Sequence, residues 1–158
     1  MQRDLTTPPA VELFFTKRRS LGSKLIRLGT WSPWSHVGFR VGDRVIESTA
    51  GHGVREVSWR DAVRPEDRRA AMYLRCARPD AVLAAARSQL GKPYDTSAIL
   101  GFIGRRDWQE PDSWFCSELV AWAFAQAGYA LFRPDSVHRV TPGHLWMLAQ
   151  GVTPTPTE

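Results

Sequence analysis

Cysteine is nearly absent from this chain: two residues in 158, Cys76 and Cys116. That scarcity excludes a framework of several disulfides, and a single Cys76–Cys116 bridge is not expected in a reducing compartment. Four histidines with no C-x-x-C or H-x-x-x-H spacing give no basis for a structural zinc site, and no metal or other cofactor is expected. No apolar run approaches the roughly 20 residues that span a bilayer. The opening MQRDLTTPPAVELFF lacks the basic region, apolar stretch and small-residue cleavage site of a secretory leader. A cytoplasmic protein is therefore predicted. Low complexity is confined to residues 151–158, GVTPTPTE, read as a flexible tail behind a single domain over residues 1–150.

What is present is an ordinary globular composition, 43% hydrophobic and 23% charged, enough to bury a core. The net charge is +5, and such a surface attracts acidic partners in general, whether nucleic acid, anionic lipid or carboxylate-bearing peptide. The basic residues are scattered, with the densest groups at Lys17-Arg18-Arg19, Arg68-Arg69 and Arg105-Arg106. Neither an aromatic–basic RNA signature nor a helix-turn-helix is visible, so no specific nucleic acid is expected. The sequence assigns no oligomeric state.

Strand signals fill the first half. Residues 11–16 read as a strand, 35–49 as a hairpin around Gly42-Asp43, and 54–59 and 70–77 as two more strands. Residues 17–34 read as basic and then turn-rich. Helices follow: one opened by Pro79-Asp80 and ending before Gly91, a short apolar stretch at 94–104, WFCSELVAWAFAQA between an Asp112-Ser113 cap and Gly128, and a last one from Thr141-Pro142 to about Ala149. Strands first and helices second predict an α+β fold, an antiparallel sheet packed by helices.

The hairpin carries the first chemical feature. With Gly42-Asp43 as the turn, Gly38 lies opposite Glu47 and His36 opposite Thr49. His36 and Glu47 then share one mostly polar face as diagonal neighbours, about 7–8 Å apart and within side-chain reach. A carboxylate beside an imidazole orients the ring and stabilises its charged form. The same pair also fits a half-exposed hairpin with no further role.

The second feature is Cys116 at a predicted helix start. Unpaired backbone N–H groups and the dipole favour an anion there, which lowers a thiol pKa. The same N–H groups suit an oxyanion. Leu119, Val120, Ala123 and Ala127 form an apolar stripe with Cys116, so the thiol faces inward. Cys76 reads as a buried core residue. A thiol at a helix start, a strand His and a polar residue orienting that His are the parts of a papain-type site. His52, in the glycine loop Gly51-His52-Gly53, competes with Glu47 for the orienting role. Trp31 and Trp34 precede His36, and Trp108 and Trp114 precede Cys116. They wall a cleft if His36 and Cys116 meet, and otherwise pack in the core. Glu118 reads as support for the first helical turn, and His138 and His144 as surface residues.

Ser35-His36-Val37-Gly38-Phe39, Val45-Ile46-Glu47-Ser48, Gly91-Lys92-Pro93-Tyr94-Asp95 and Phe115-Cys116-Ser117-Glu118-Leu119-Val120, followed by Thr141-Pro142, resemble the permuted papain-like amidases. These form the YiiX/YaeF branch of the NlpC-type cysteine peptidase superfamily, and the likeness runs from about residue 11 to 150. It implies a circularly permuted papain-like fold, with a helical part carrying Cys116 against a sheet or half-barrel carrying His36. It also implies Cys116 as nucleophile, His36 as base and Glu47 as orienting acid, with Tyr94 and Asp95 near the pocket in substrate positioning or structural support. The expected substrate is a peptide, amide or acyl-lipid. Three functions follow: a thiol hydrolase of amides or esters, an acyltransferase of the lecithin–retinol acyltransferase type using the same Cys and His, and a non-catalytic basic binding domain.

Overall fold

The computed structural model describes residues 9–18, 21–95 and 113–148. Five antiparallel strands form one sheet: β1 (Ala10–Lys17), β2 (His36–Val41), β3 (Arg44–Thr49), β4 (Gly53–Ser58) and β5 (Arg68–Arg75), in the order β4-β3-β2-β1-β5. Helix α1 (Leu21–Thr30) joins β1 to β2, and the short α2 (Trp59–Ala62) follows β4. After β5 come α3 (Pro79–Arg87), α4 (Cys116–Gln126), a 3-10 helix (Pro134–Arg139) and α5 (Pro142–Met147). The predicted α+β class holds, but the order of strands before helices is interrupted by α1 after β1 and by α2 after β4.

Alternation along β1 explains the two sides of the sheet. Val11, Leu13 and Phe15 join Val37, Phe39, Ile46 and Met72 in the main core, under α3 and α4. Phe39 stacks on Phe124 of α4 with ring centroids 6.4 Å apart. The opposite side of β1 gives Phe14 to a smaller core with Val45, Ala62 and Val63. The sheet face read as mostly polar is therefore covered: Val45, Glu47, Thr49 and His36 are all buried on it.

The hairpin register is the predicted one, with Phe39 opposite Ile46 and Val41 opposite Arg44. Gly42 takes φ +62° at the first central position and Asp43 a negative φ, as in a type II′ turn.

Three local expectations need correction. Residues 21–30 form a helix rather than a turn-rich loop. Two glycines masked its periodicity, and its packing rests on Ser23 and Ile26 rather than on Leu25 and Leu28. Helix α4 starts at Cys116 with Phe115 as its N-cap, not Asp112 or Ser113. It is also buried nearly all round, with Ser117, Glu118 and Ala121 covered as well as the predicted stripe. Of the 94–104 stretch only Tyr94 and Asp95 are described, and Tyr94 forms a parallel bridge to Trp114 instead of a helix. The rest of that stretch, Trp108, Asp112, Ala149 and the 151–158 tail lie outside the described residues.

Candidate active site

His36 is the first residue of β2 and Cys116 the first residue of α4, so the sheet and the helix meet at these two N-terminal ends. His36 Nε2 lies 2.7 Å from Glu47 Oε2, and the ring is also hydrogen-bonded to Cys116. Glu47 is fully buried. Its second oxygen, Oε1, accepts two N–H bonds from Arg55, 3.0 Å from Nε and 2.7 Å from Nη2. Both carboxylate oxygens thus have cationic donors.

The electrostatics follow. Burial pushes the His36 pKa down, but hydrogen bonds and charges from Cys116 and Glu47 outweigh it and raise it to about 9. Burial pushes the Glu47 carboxyl up, and His36 and Arg55 together hold it below the usual carboxylate value. The ring is therefore a cation held between the Glu47 carboxylate and Cys116. Phe14 packs edge-on against it, centroids 5.8 Å apart. Gly38 makes room for Phe14, because a Cβ there would stand 2.7 Å from its ring and 2.9 Å from the Ile46 carbonyl.

The approach to Cys116 is built from backbone. The Trp114 carbonyl accepts from the Ser48 hydroxyl at 2.7 Å and from the Asp95 N–H at 3.2 Å. Trp114 N–H donates to the Pro93 carbonyl at 3.0 Å. The turn before Tyr94 is pinned to β4 by Val54 N–H to the Lys92 carbonyl, 2.8 Å, and Gly91 N–H to the Val54 carbonyl, 2.9 Å. Gly53, at φ +67°, lies so close to that Lys92 carbonyl that any Cβ would collide with it. Strands β3 and β4 therefore fix the height at which Cys116 enters. Phe115 N–H, unpaired by the helix, donates to Glu118 Oε2 at 3.1 Å.

Tyr94 is half-buried beside this helix start, its ring 5.8 Å from that of Phe115. Burial first, and then the neighbouring Cys116 and Asp95, keep its hydroxyl protonated. Asp95 is buried. Glu118 is buried too, and burial with the nearby Asp95 charge raises its pKa to about 8, against the opposing Phe115 hydrogen bond.

The tryptophans divide. Trp34 packs against Phe15 and Trp146, and Trp114 against Trp122, its indole N–H donating to Gln89 at 3.1 Å. Both sit in the aromatic packing around the site. Trp31 is 93% exposed and walls nothing. His52 is exposed in its turn, away from the orienting position that Glu47 fills. His144 is exposed and pairs with Thr141 across the start of α5. Both cysteines are free, and Cys76 is a core residue whose thiol burial pushes up.

A family described as permuted papain-like amidase enzymes, YaeF/YiiX, matches residues 11–155. The chain belongs to this family. As a permuted papain-like amidase it is an enzyme, with an activity of the cysteine hydrolase type. Among solved structures, the metalloprotein YiiX from Escherichia coli is similar with a TM-score of 0.70 at 20% identity, over 96% of this chain and 98% of that one. That likeness establishes the permuted papain-like fold. No curated protein matches. In this amidase, no group of three or more His, Cys, Asp or Glu side chains among the described residues is arranged to hold a metal ion. No described helix is long and apolar enough to cross a membrane.

Arg55 is the site residue that sequence reading missed. The signal was available: strands at 44–49 and 54–59 joined by a short glycine loop pair as a hairpin, and that pairing sets Glu47 opposite Arg55.

Proposed function

We propose that this amidase cleaves an amide or ester bond through an acyl-enzyme on Cys116. With the proton already on His36, the Cys116 sulfur attacks the substrate carbonyl as a thiolate. The imidazolium then protonates the leaving amine or alkoxide as the C–N or C–O bond breaks. Water, giving its proton to His36, releases the acid and restores the thiolate–imidazolium pair. Glu47 holds the ring in orientation and stabilises its charge, while Arg55 keeps Glu47 ionised. The unpaired N–H groups at the start of α4 receive the oxyanion. In this reading the neutral Tyr94 hydroxyl positions the substrate carbonyl, and Asp95 supports that segment.

The observation that carries this reading is a buried His36 held between Glu47, at 2.7 Å, and Cys116. Iodoacetamide labelling at mildly acidic pH, with the modified cysteine located by mass spectrometry, tests it. Cys116 is expected to label faster than a free thiol and much faster than Cys76, and His36→Ala to abolish the difference. Equal rates at both cysteines would remove the activated nucleophile. Glu47→Ala is expected to lower activity less than His36→Ala.

A further inference from the structure

Helix α1 faces the wrong way for a helix that serves only the core. At 100° per residue, Ser23 and Ile26 share one side and Leu25 and Leu28 the other. The protein buries Ser23 and packs Ile26 on the core, while Leu25 is 43% exposed and Leu28 75% exposed. The stripe continues into Trp31, 93% exposed. Trp31 occupies the left-handed position of the helix C-cap at φ +52°, where Ser32 N–H reaches back to the Arg27 carbonyl. Glycine is the usual residue there, and bulky side chains rarely adopt that conformation. Here the turn throws an indole into solvent. Lys24 is exposed beside the leucines and Arg27 flanks them half-buried. Within α1 itself no acidic residue offsets these charges.

We propose that the Leu25–Leu28–Trp31 edge docks on an anionic lipid surface. The leucines enter the boundary between headgroups and acyl chains, Trp31 sits at headgroup level, and Lys24 and Arg27 pair with lipid phosphates. The +5 net charge gives long-range attraction of the same sign. Charge decides the occupant, because a second copy of this chain would bring like charge to the same edge. The helix is tied to the site through its opposite, buried side: the Ser23 hydroxyl donates to Ser35 Oγ at 2.7 Å, Ser35 bonds to the Thr16 carbonyl at 3.2 Å, and the next residue is His36.

The test uses full-length Cys116→Ala protein, so that turnover plays no part, in sedimentation with vesicles. Expected is binding to mixed phosphatidylcholine–phosphatidylglycerol vesicles, not to phosphatidylcholine alone, weakened by added salt. Leu28→Ser and Trp31→Ser are each expected to weaken partition about tenfold or more, and Lys24→Glu less, with thermal melts unchanged. Four results would each overturn the proposal: no vesicle binding, binding that these variants leave intact, a concentration-dependent dimer that Leu28→Ser dissolves, or a lowered melting temperature in Leu28→Ser. The last would show that the chain itself covers the stripe.

Discussion

Two buried glutamates stand on opposite sides of the His36–Cys116 pair, and they are held in opposite states. Glu47, on the sheet, has a cation at each oxygen, His36 at 2.7 Å and Arg55 at 2.7 Å, and is kept ionised. Glu118, in the first turn of α4, has one backbone N–H on Oε2, no hydrogen-bond partner on Oε1 and the Asp95 charge nearby, and is kept protonated near neutrality. Both are at most 3% exposed. Burial raises both, so the partner's charge decides the outcome. The sheet side thus brings a negative charge to the imidazolium, while the helix side withholds one from the first-turn N–H groups where an oxyanion would form.

The sharpest way to break this comparison is Glu47→Gln. The amide keeps the shape but leaves Arg55 and His36 without their counter-charge, and breaking a buried pair this way costs about 3 kcal/mol. Urea unfolding is expected to show that loss. The basic limb of kcat/KM, set by His36 at about 9, is expected to move toward the ordinary histidine value near 6.5. A limb that stays at 9 would mean that Glu47 does not govern the ring.

Glu118→Gln tests the other side and carries the opposite sign. A carboxyl with a folded pKa of about 8 and a reference of 4.5 stabilises the fold fully below 4.5. That contribution is lost as pH rises toward 8, because the unfolded chain ionises first. The amide still accepts the Phe115 N–H and cannot ionise. Wild-type stability minus variant stability is therefore expected to fall by an amount on the order of a few kcal/mol between pH 4.5 and 8. His36 contributes its own decline, between 6.5 and 9, to both proteins and cancels in the difference. A flat difference would show that Glu118 is ionised throughout.

The sheet side was readable in advance and the helix side was not, for a physical reason. Strand alternation and a two-residue turn fix the register, and register alone sets His36 diagonal to Glu47. Arg55 needed only the next hairpin. Glu118 depended on where α4 begins and on what packs behind it. The Asp112-Ser113 cap signal pointed upstream, whereas Glu118 itself caps the helix through Phe115. The buried side of α1 was hidden likewise, because Leu25 and Leu28, the obvious core residues, face outward.

Gly38→Ala probes the sheet side without touching a charge. The new methyl would meet the Phe14 ring and the Ile46 carbonyl. Phe14 yields more easily than the strand, so its edge contact with His36 shifts. The expected cost is about 1–3 kcal/mol in stability, read by thermal unfolding, with the pH profile retained. A displaced basic limb would mean that Phe14 packing, and not the Glu47 charge, sets the His36 pKa.

The smallest effect is expected from Arg55→Lys. Lysine retains a positive charge opposite Glu47 but replaces a planar fork with one ammonium. Two N–H donors now converge on Oε1 from a fixed geometry, and the shorter-range ammonium reproduces the charge without that orientation. The expected loss is about 1 kcal/mol in urea unfolding, the difference between a charged hydrogen bond and a charge alone. The basic limb is expected to stay near 9, since Glu47 remains ionised. If Arg55→Lys instead moves the limb as far as Glu47→Gln does, the guanidinium geometry is what keeps the Glu47 carboxylate aimed at His36. The orienting unit would then include Arg55 as well as Glu47.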